Sequence, residues 1–463
     1  MPPSPTASAR ALLARLDESA FTARHVKIYT TVLLGHFLCG FVINLTGVVL
    51  PGVIKTFHLT SESAGAFSSV LFAGMLVGAA VAGTVSDRFG RKVPLAVTIM
   101  VYALFSLAAV FAPSFGALVI FRALQGIGLG AEIAVALPYI AEFVPSRHRG
   151  PLVTAATAAW LIGLPTAAAV GTAVVPVWGW RAMFAIATVP VLVGAVMLAT
   201  LPESVRYLLR RGRLAAGTAI VDTLCRGTGA AAPAEHHEAP ETRGTVRTLV
   251  ARRYLRYTIA LWFMEVCAGA FLYGLSSWLP SVLEKQGVGL LKSFGYTAII
   301  TTAGVVGAIL AGQLIDRIGR RVVLGAGFVL SGLLCLAWGT TSAAGAVILL
   351  GSLATFFGSG LAGSTLFAYA SELYPTASRA TGLGWAAAWQ KVGGLVMPAL
   401  VGFVLAMHTT QFVFFLLFGV ISVLAGIAAL VATFETRGRT VEQITREITG
   451  TSAAEATPTM ARS

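Results

Sequence analysis

The chain is 463 residues long, 56% hydrophobic and only 11% charged, with a formal net charge of +14. Ordinary soluble domains carry about 25% charged residues, so this composition excludes a water-solvated globule and points to lipid. The cations fall in short clusters between apolar runs, which excludes a nucleic-acid face and makes the basic charge a topology signal.

Residues 1–27 are polar and mixed in charge, and read as a soluble tail in which RALLARLDESAF forms a short surface helix. Twelve apolar runs follow, each long enough to cross a bilayer at about 20 residues per helix. They cover 28–54, 64–86, 93–112, 115–141, 151–176 and 179–201, then 257–283, 293–315, 322–341, 345–371, 380–407 and 411–434. The first is too long for a signal-peptide core and lacks a small-residue cleavage site, so no cleaved leader is expected.

Between the two sets lies a central loop, 202–256. Its opening, PESVRYLLRRGR, has helical spacing and a basic face and belongs on the inner membrane surface. It continues as RGTGAAAPAEHHEAPETRG, which reads as disordered. His236 and His237 there suit a solvated linker better than a metal site. The tail 435–463 becomes low in complexity after 450.

Of the 33 Lys and Arg, 27 fall in the segments that are cytoplasmic when the N-terminus is inside, and 4 fall on the other side. Both termini are therefore expected in the cytoplasm. Cys39, Cys225, Cys267 and Cys335 share no ligand spacing, so neither a disulfide framework nor a metal site is implied. No GxxxxGK[ST] loop is present, which argues against a nucleotide-driven pump.

GTVSDRFGRK (83–92) returns as GQLIDRIGRR (312–321), with Asp87 and Asp316 229 residues apart. Glu142-x-x-Pro145-x-x-x-Arg149 returns as Glu372-x-x-Pro375-x-x-x-Arg379, with the glutamates 230 apart. Glu203 and Glu435 make a third pair, 232 apart. One near-constant spacing means two halves on one plan. The expected fold is an all-α membrane protein: twelve transmembrane helices in two six-helix bundles, 28–201 and 257–434, as a parallel 6+6 repeat with the substrate site between the halves. Asp87, Arg88, Arg91, Glu142, Arg149, Asp316, Arg317, Glu372 and Arg379 would then form a cytoplasmic gate whose charges pair across the seam between the halves.

Charges inside spans need a reason, because lipid penalises them by several kcal/mol. Four occur: Arg122, Glu132, Glu265 and Lys391. Their charges cancel, so bundle-bracing pairs remain open beside functional roles. Gln125, Glu132 and Tyr139 share one helix face, which suits a wet cavity, and Glu132 is a candidate for substrate contact or proton coupling. Glu265 is a second coupling candidate. Lys391 can hold a substrate carboxylate, with Trp385 and Trp389 partly on its face to flank a flat aromatic acid. His36 could titrate near neutral pH, but reads first as a hydrogen-bonded core histidine; Asn44 and Trp160 are comparable.

Taken together, the duplicated GTVSDRFGRK and GQLIDRIGRR, Arg122-x-x-Gln125-Gly126-x-Gly128, PESVRYLL and FETRGR resemble the marks of the major facilitator superfamily, in its sugar-porter-like branch. FLYGLSSWLP (271–280), FAYASELYPTASRATG (367–382) and WQKVGG (389–394) with Pro398 look most like bacterial niacin transporters, and next like aromatic-acid–proton symporters. The resemblance implies the major facilitator fold, a coupling role for Arg122, and Tyr273, Tyr369 and Gln390 as pocket candidates. In two places the chain departs: Lys391 stands where those relatives often have Arg, and Asn44 about where some carry an Asp. The resulting expectation is a non-enzymatic, cofactor-free, monomeric transporter of the inner membrane, importing a small organic monocarboxylate such as nicotinate with a proton. A proton antiporter for organic cations and a non-transporting sensor are the alternatives.

Overall fold

The computed structural model describes residues 5–226, 246–407, 410–439 and 441–449. Residues 227–244 of the expected disordered stretch, with His236 and His237, and the tail after 450 lie outside the described residues. Among the described residues there are helices and no strand.

Among the described residues, twelve helices are long and apolar enough to span a bilayer. In the first half they are α1 (Ala23–Phe57), α2 (Ser61–Phe89), α3 (Lys92–Val110), α4 (Phe115–Phe143), α5 (Ser146–Trp178) and α6 (Trp180–Thr200). In the second they are α7 (Leu255–Lys285), α8 (Leu290–Ile318), α9 (Arg320–Trp338), α10 (Ala344–Leu373), α11 (Ser378–Ala406) and α12 (Phe412–Ala432). Lipid leaves no water for unpaired backbone groups, which is why each apolar run closes its bonds within a helix. Polar caps open α2 and α4, where Thr60 and Ser114 accept from the amides of Ser63 and Ala117. In α7 and α10 the helix widens to π geometry over Ala270–Gly274 and Phe356–Ala362.

The expected tail helix spans Pro5–Asp17, and Arg15 meets Asp222 of a second short helix, Leu214–Cys225, at 2.9 Å. The basic stretch after α6 folds as Val205–Arg210 and then turns at Gly212, where φ is +71°.

Packing between spans runs on small residues, because lipid supplies no hydrophobic drive between helices and close backbone approach must do the work. Gly74 and Gly78 of α2 face Gly126 and Gly130 of α4, where an added Cβ would lie 2.0–2.1 Å from main-chain oxygens. In the second half, Gly307 of α8 packs on Phe356 and Gly360 of α10 in the same way.

Two compact units emerge from these contacts. One comprises residues 1–238, 273–302 and 394–409; the other comprises 239–272, 303–393 and 410–463. Within the first unit, the later parts of α7 and α11 pack with the first-half spans: Gly47 lies against the Ser276 carbonyl and Gly65 against that of Pro398. Trp278 Nε1 donates to the Pro398 oxygen at 3.0 Å, and Lys55 Nζ meets Glu284 at 2.5 Å.

Candidate functional site

In the first unit, the polar residues of the spans gather on α1, α3 and α4. Glu132 is fully buried, and His36, itself 3% exposed, brings Nδ1 within 3.2 Å of its carboxylate. Sequence reading placed each residue on its helix but missed the pairing, because 96 positions separate them.

Arg122, also fully buried, spends its guanidinium on neutral partners. It donates to Gln125 Oε1 at 2.5 Å and to the Thr46 hydroxyl, and it lies 5.6 Å from the ring centres of Phe67 and Phe184. Gln125 Nε2 then donates to Ser106 Oγ at 2.5 Å. A desolvated cation is tolerable when hydrogen bonds and aromatic faces surround it. Four residues from Ser106, the hydroxyl of Tyr102 is buried with no hydrogen-bond partner.

Asn44 donates back to the Gly40 carbonyl at 2.8 Å, so one of its donors serves its own helix. Tyr273 is 1% exposed, and its ring centre is 4.5 Å from that of Phe72 and 6.4 Å from that of Trp160.

In the second unit, α7 and α11 build an aromatic stack. Trp262 meets both Trp385 and Trp389, with ring centres 5.7 and 5.5 Å away and planes tilted by 32° and 30°. Trp385 and Trp389, one helical turn apart, present their rings to one partner. The Nε1 donors of Trp262 and Trp389 are buried without a hydrogen-bond partner, as is Glu265 Oε2. Lys391 is 7% exposed and donates to Gln390 Oε1 at 3.1 Å, within electrostatic range of Glu265. The structure thus brings Glu265, Trp385, Trp389, Gln390 and Lys391 onto two adjoining helices and adds Trp262. Its signal was available: Trp262 precedes Glu265 by three residues, one face of a helix.

Tyr369, expected among the pocket residues, has another task. Its hydroxyl accepts from the Phe434 amide at 3.2 Å, and its ring belongs to an apolar cluster with Leu366, Leu373 and Tyr374. Tyr139 does the matching work in the first half, donating to the Pro202 carbonyl at 2.6 Å. Proline has no N–H to give, so there the tyrosine must donate.

The gate candidates form two matching clusters. Arg91 Nε meets Glu142 at 3.0 Å, while the amides of Arg91 and Lys92 donate to Glu203 at 2.7 and 3.2 Å. In the second half Arg320 meets Glu372 at 2.9 Å and Asp316 at 3.0 Å, and the amides of Arg320 and Arg321 donate to Glu435 at 2.9 and 3.1 Å. Glu203 and Glu435 thereby cap the open N-termini of α3 and α9. Gly90 and Gly319 are required twice over: φ is +90° and +106°, and a Cβ would lie 2.4–2.5 Å from the capping carboxylate.

Asp87 meets Arg210 at 3.3 Å, Arg149 meets Asp17, and the Arg88 carbonyl accepts from Tyr207 and Arg211. Arg317 is exposed, and Arg379 Nε is buried without a hydrogen-bond partner. The pairs named here run within one sequence half, where pairing across the seam was expected. The reason is local: each acid lies on a helix end or segment of the same sequence half as its cation.

Among the described residues there is no group of His, Cys, Asp and Glu able to hold a metal, and the four cysteines are buried and form no disulfide.

Comparison with known proteins places these features in a family. The profile of the Major Facilitator Superfamily matches residues 32–395 and 295–461. The niacin transporter NiaP of Acinetobacter baylyi is 30% identical over 437 residues, covering 94% of this chain and 99% of that protein. The 4-hydroxybenzoate transporter PcaK of Pseudomonas aeruginosa is 30% identical, covering 75% and 79%. Among solved structures, the inward-open xylose transporter XylE from E. coli matches with a TM-score of 0.71 at 20% identity, over 91% of this chain and 99% of that one.

Proposed function

The chain belongs to the Major Facilitator Superfamily and is a multi-pass membrane transporter, and from that premise we propose that it imports a small aromatic monocarboxylate, nicotinate first, together with a proton. The observation that carries this reading is a buried lysine, Lys391, donating to Gln390 within a span, on the same helix as Trp385 and Trp389, whose rings meet Trp262. A lysine in the middle of a span is costly unless an anion meets it, and a carboxylate meets it with a charge-assisted hydrogen bond. A flat ring gains a further ~0.5–1.5 kcal/mol from aromatic faces. The unpartnered indole donors of Trp262 and Trp389 suit a ring that carries an acceptor, as pyridine does.

Relatives named as niacin and 4-hydroxybenzoate transporters support the substrate class. Both termini lie in the cytoplasm by the distribution of cations, and the sequence halves 28–201 and 257–434 are the bodies that move against each other.

The test is uptake of labelled nicotinate and benzoate into proteoliposomes with and without an inward-acid gradient. Gradient-driven accumulation supports import with a proton. Gradient-driven efflux of organic cations, or binding of nicotinate without flux, would overturn it.

A further inference from the structure

The six first-half spans carry one carboxylate in their interior, Glu132, and its partner is a histidine on another helix, His36. From this geometry we infer that His36 and Glu132 together form the proton-carrying element, the pair loading one proton with each anion. The inference rests on the proton-coupled import proposed above.

Insulation is the first argument. Between Ser63 and Ser86 of α2, Gly150 and Trp178 of α5, and Ala182 and Thr200 of α6, no ionisable side chain occurs. From α1, Cys39 faces the pair, its thiol directed at the Leu129 carbonyl; from α3 comes Tyr102, in electrostatic range of both Cys39 and Glu132. On α4 itself Arg122 is ten residues away, or about 15 Å along the axis, and is occupied by Gln125 and Thr46. Among the described residues, no ion pair joins either member of the pair to a third side chain.

Charge is the second argument. With Glu132 ionised and His36 neutral, Arg122 and Glu132 cancel across the six-span interior. One proton on the pair leaves that interior one unit positive, the charge an arriving carboxylate offsets. A low-dielectric interior makes such balance matter far more than it would in water. The proton enters from the outer solution and leaves to the inner one, with no other co-reactant.

Glu265 is the competing carboxylate, but its charged neighbour is the fixed cation Lys391, not a second titratable base. Mechanical transmission is available through α1, which carries His36 at mid-length and, eleven residues on, Gly47 locked against Ser276 of α7.

The experiment uses purified full-length protein. Infrared difference spectra are recorded against pH on wild type, Glu132→Gln, His36→Gln and Glu265→Gln, alongside nicotinate exchange and gradient-driven accumulation in proteoliposomes. The expected wild-type result is a protonated-carboxyl band whose intensity changes with pH. That band persists in Glu265→Gln, vanishes in Glu132→Gln and moves along the pH axis in His36→Gln. A gradient of one pH unit holds about tenfold accumulation in a one-proton symport; Glu132→Gln should fall to onefold while nicotinate exchange continues.

Wild-type accumulation by Glu132→Gln, or a titrating band that vanishes in Glu265→Gln, would overturn the inference. So would loss of exchange and accumulation together in a folded Glu132→Gln, because the pair would then be a brace. Should Glu132→Gln fail to fold, the spectra of wild type and Glu265→Gln decide alone. If wild type moves neither acid, the transport reading fails while the band still tests the pair.

Discussion

His36 and Glu265 occupy equivalent positions of the repeat, 229 residues apart, and each precedes by four residues the glycine that locks its helix to a neighbour. Gly40 sits on the Trp160 carbonyl of α5, and Gly269 sits on that of Gln390 in α11. The duplicated scaffold therefore offers one position twice, and the halves fill it with opposite chemistry. A titratable base paired with a carboxylate stands in the first half. A carboxylate near a fixed cation stands in the second. In the proposed scheme, this divergence at a matched position separates proton handling from anion handling.

Replacing Lys391 by Ala should weaken nicotinate binding about 10–100-fold, since a hydrogen bond to a charged group contributes roughly 1.5–3 kcal/mol. Expression and the detergent-extracted elution profile should stay as in wild type. Isothermal titration with nicotinate checks this, and undiminished binding would remove Lys391 from the site.

Trp262→Ala should cost more affinity than Trp385→Ala, because Trp262 meets both other rings and Trp385 is 39% exposed. Loss of an aromatic pair corresponds to ~0.5–1.5 kcal/mol, so the Trp262 deletion should weaken nicotinate about threefold to tenfold beyond lost area. Trp262→Phe should recover most of it. Equal losses in Trp262→Ala and Trp385→Ala would argue against stacking on Trp262.

The architecture was legible in the chain because landmarks such as Asp87 and Asp316 recur at one spacing and the cations sit on one side of twelve apolar runs. Partners across helices were not legible. His36 and Glu132 are each an unremarkable single residue, and no spacing along a chain reports which faces of α1 and α4 meet. Tyr369 teaches the opposite lesson. Its counterpart Tyr139, 230 residues earlier, already marked it as scaffold, since a side chain written into both halves serves what both halves need. Lys391, matched by Leu161, and Glu132, matched by Ala362, are written once, and they are the side chains the proposed chemistry uses.

Gly40→Ala and Gly269→Ala should each destabilise the protein by about 3 kcal/mol, the upper range for overpacking. Their Cβ atoms would stand 2.0 and 1.9 Å from main-chain oxygens, which cannot swing aside as a side chain can. Gly83→Ala, with nothing within 4 Å, is the control and should melt as wild type does. Thermal unfolding in detergent, followed by size-exclusion recovery, measures all three.

Tyr374 should make stability fall at high pH. Its hydroxyl donates to Thr258 at 3.0 Å, which passes a bond on to the Leu249 carbonyl at 2.8 Å, and burial pushes its pKa up to about 12. The folded state then binds more protons than the unfolded chain above about pH 10, so this contribution is full below pH 10 and is lost as pH rises toward 12. Wild type should melt above Tyr374→Phe at pH 8, and the gap should close between about pH 10 and 12. A gap independent of pH would show that folding does not shift the ionisation of this phenol.

Lys55 and Glu284 close the ends of α1 and α7 at 2.5 Å, on the side assigned to the exterior. Lys55 is 66% exposed, so water and salt screen the pair and its worth is at most about 1 kcal/mol. That small value suits a latch: about fivefold in an equilibrium is enough to bias opening without freezing it. Glu284→Gln should therefore raise the labelling rate of a cysteine placed at Ser276 by a membrane-impermeant reagent up to about fivefold, and 1 M salt should bring wild type most of the way there. Reversing both charges, Lys55→Glu with Glu284→Lys, should restore the slow rate. Labelling that ignores all three changes would mean that the Gly47–Ser276 packing alone holds this end shut.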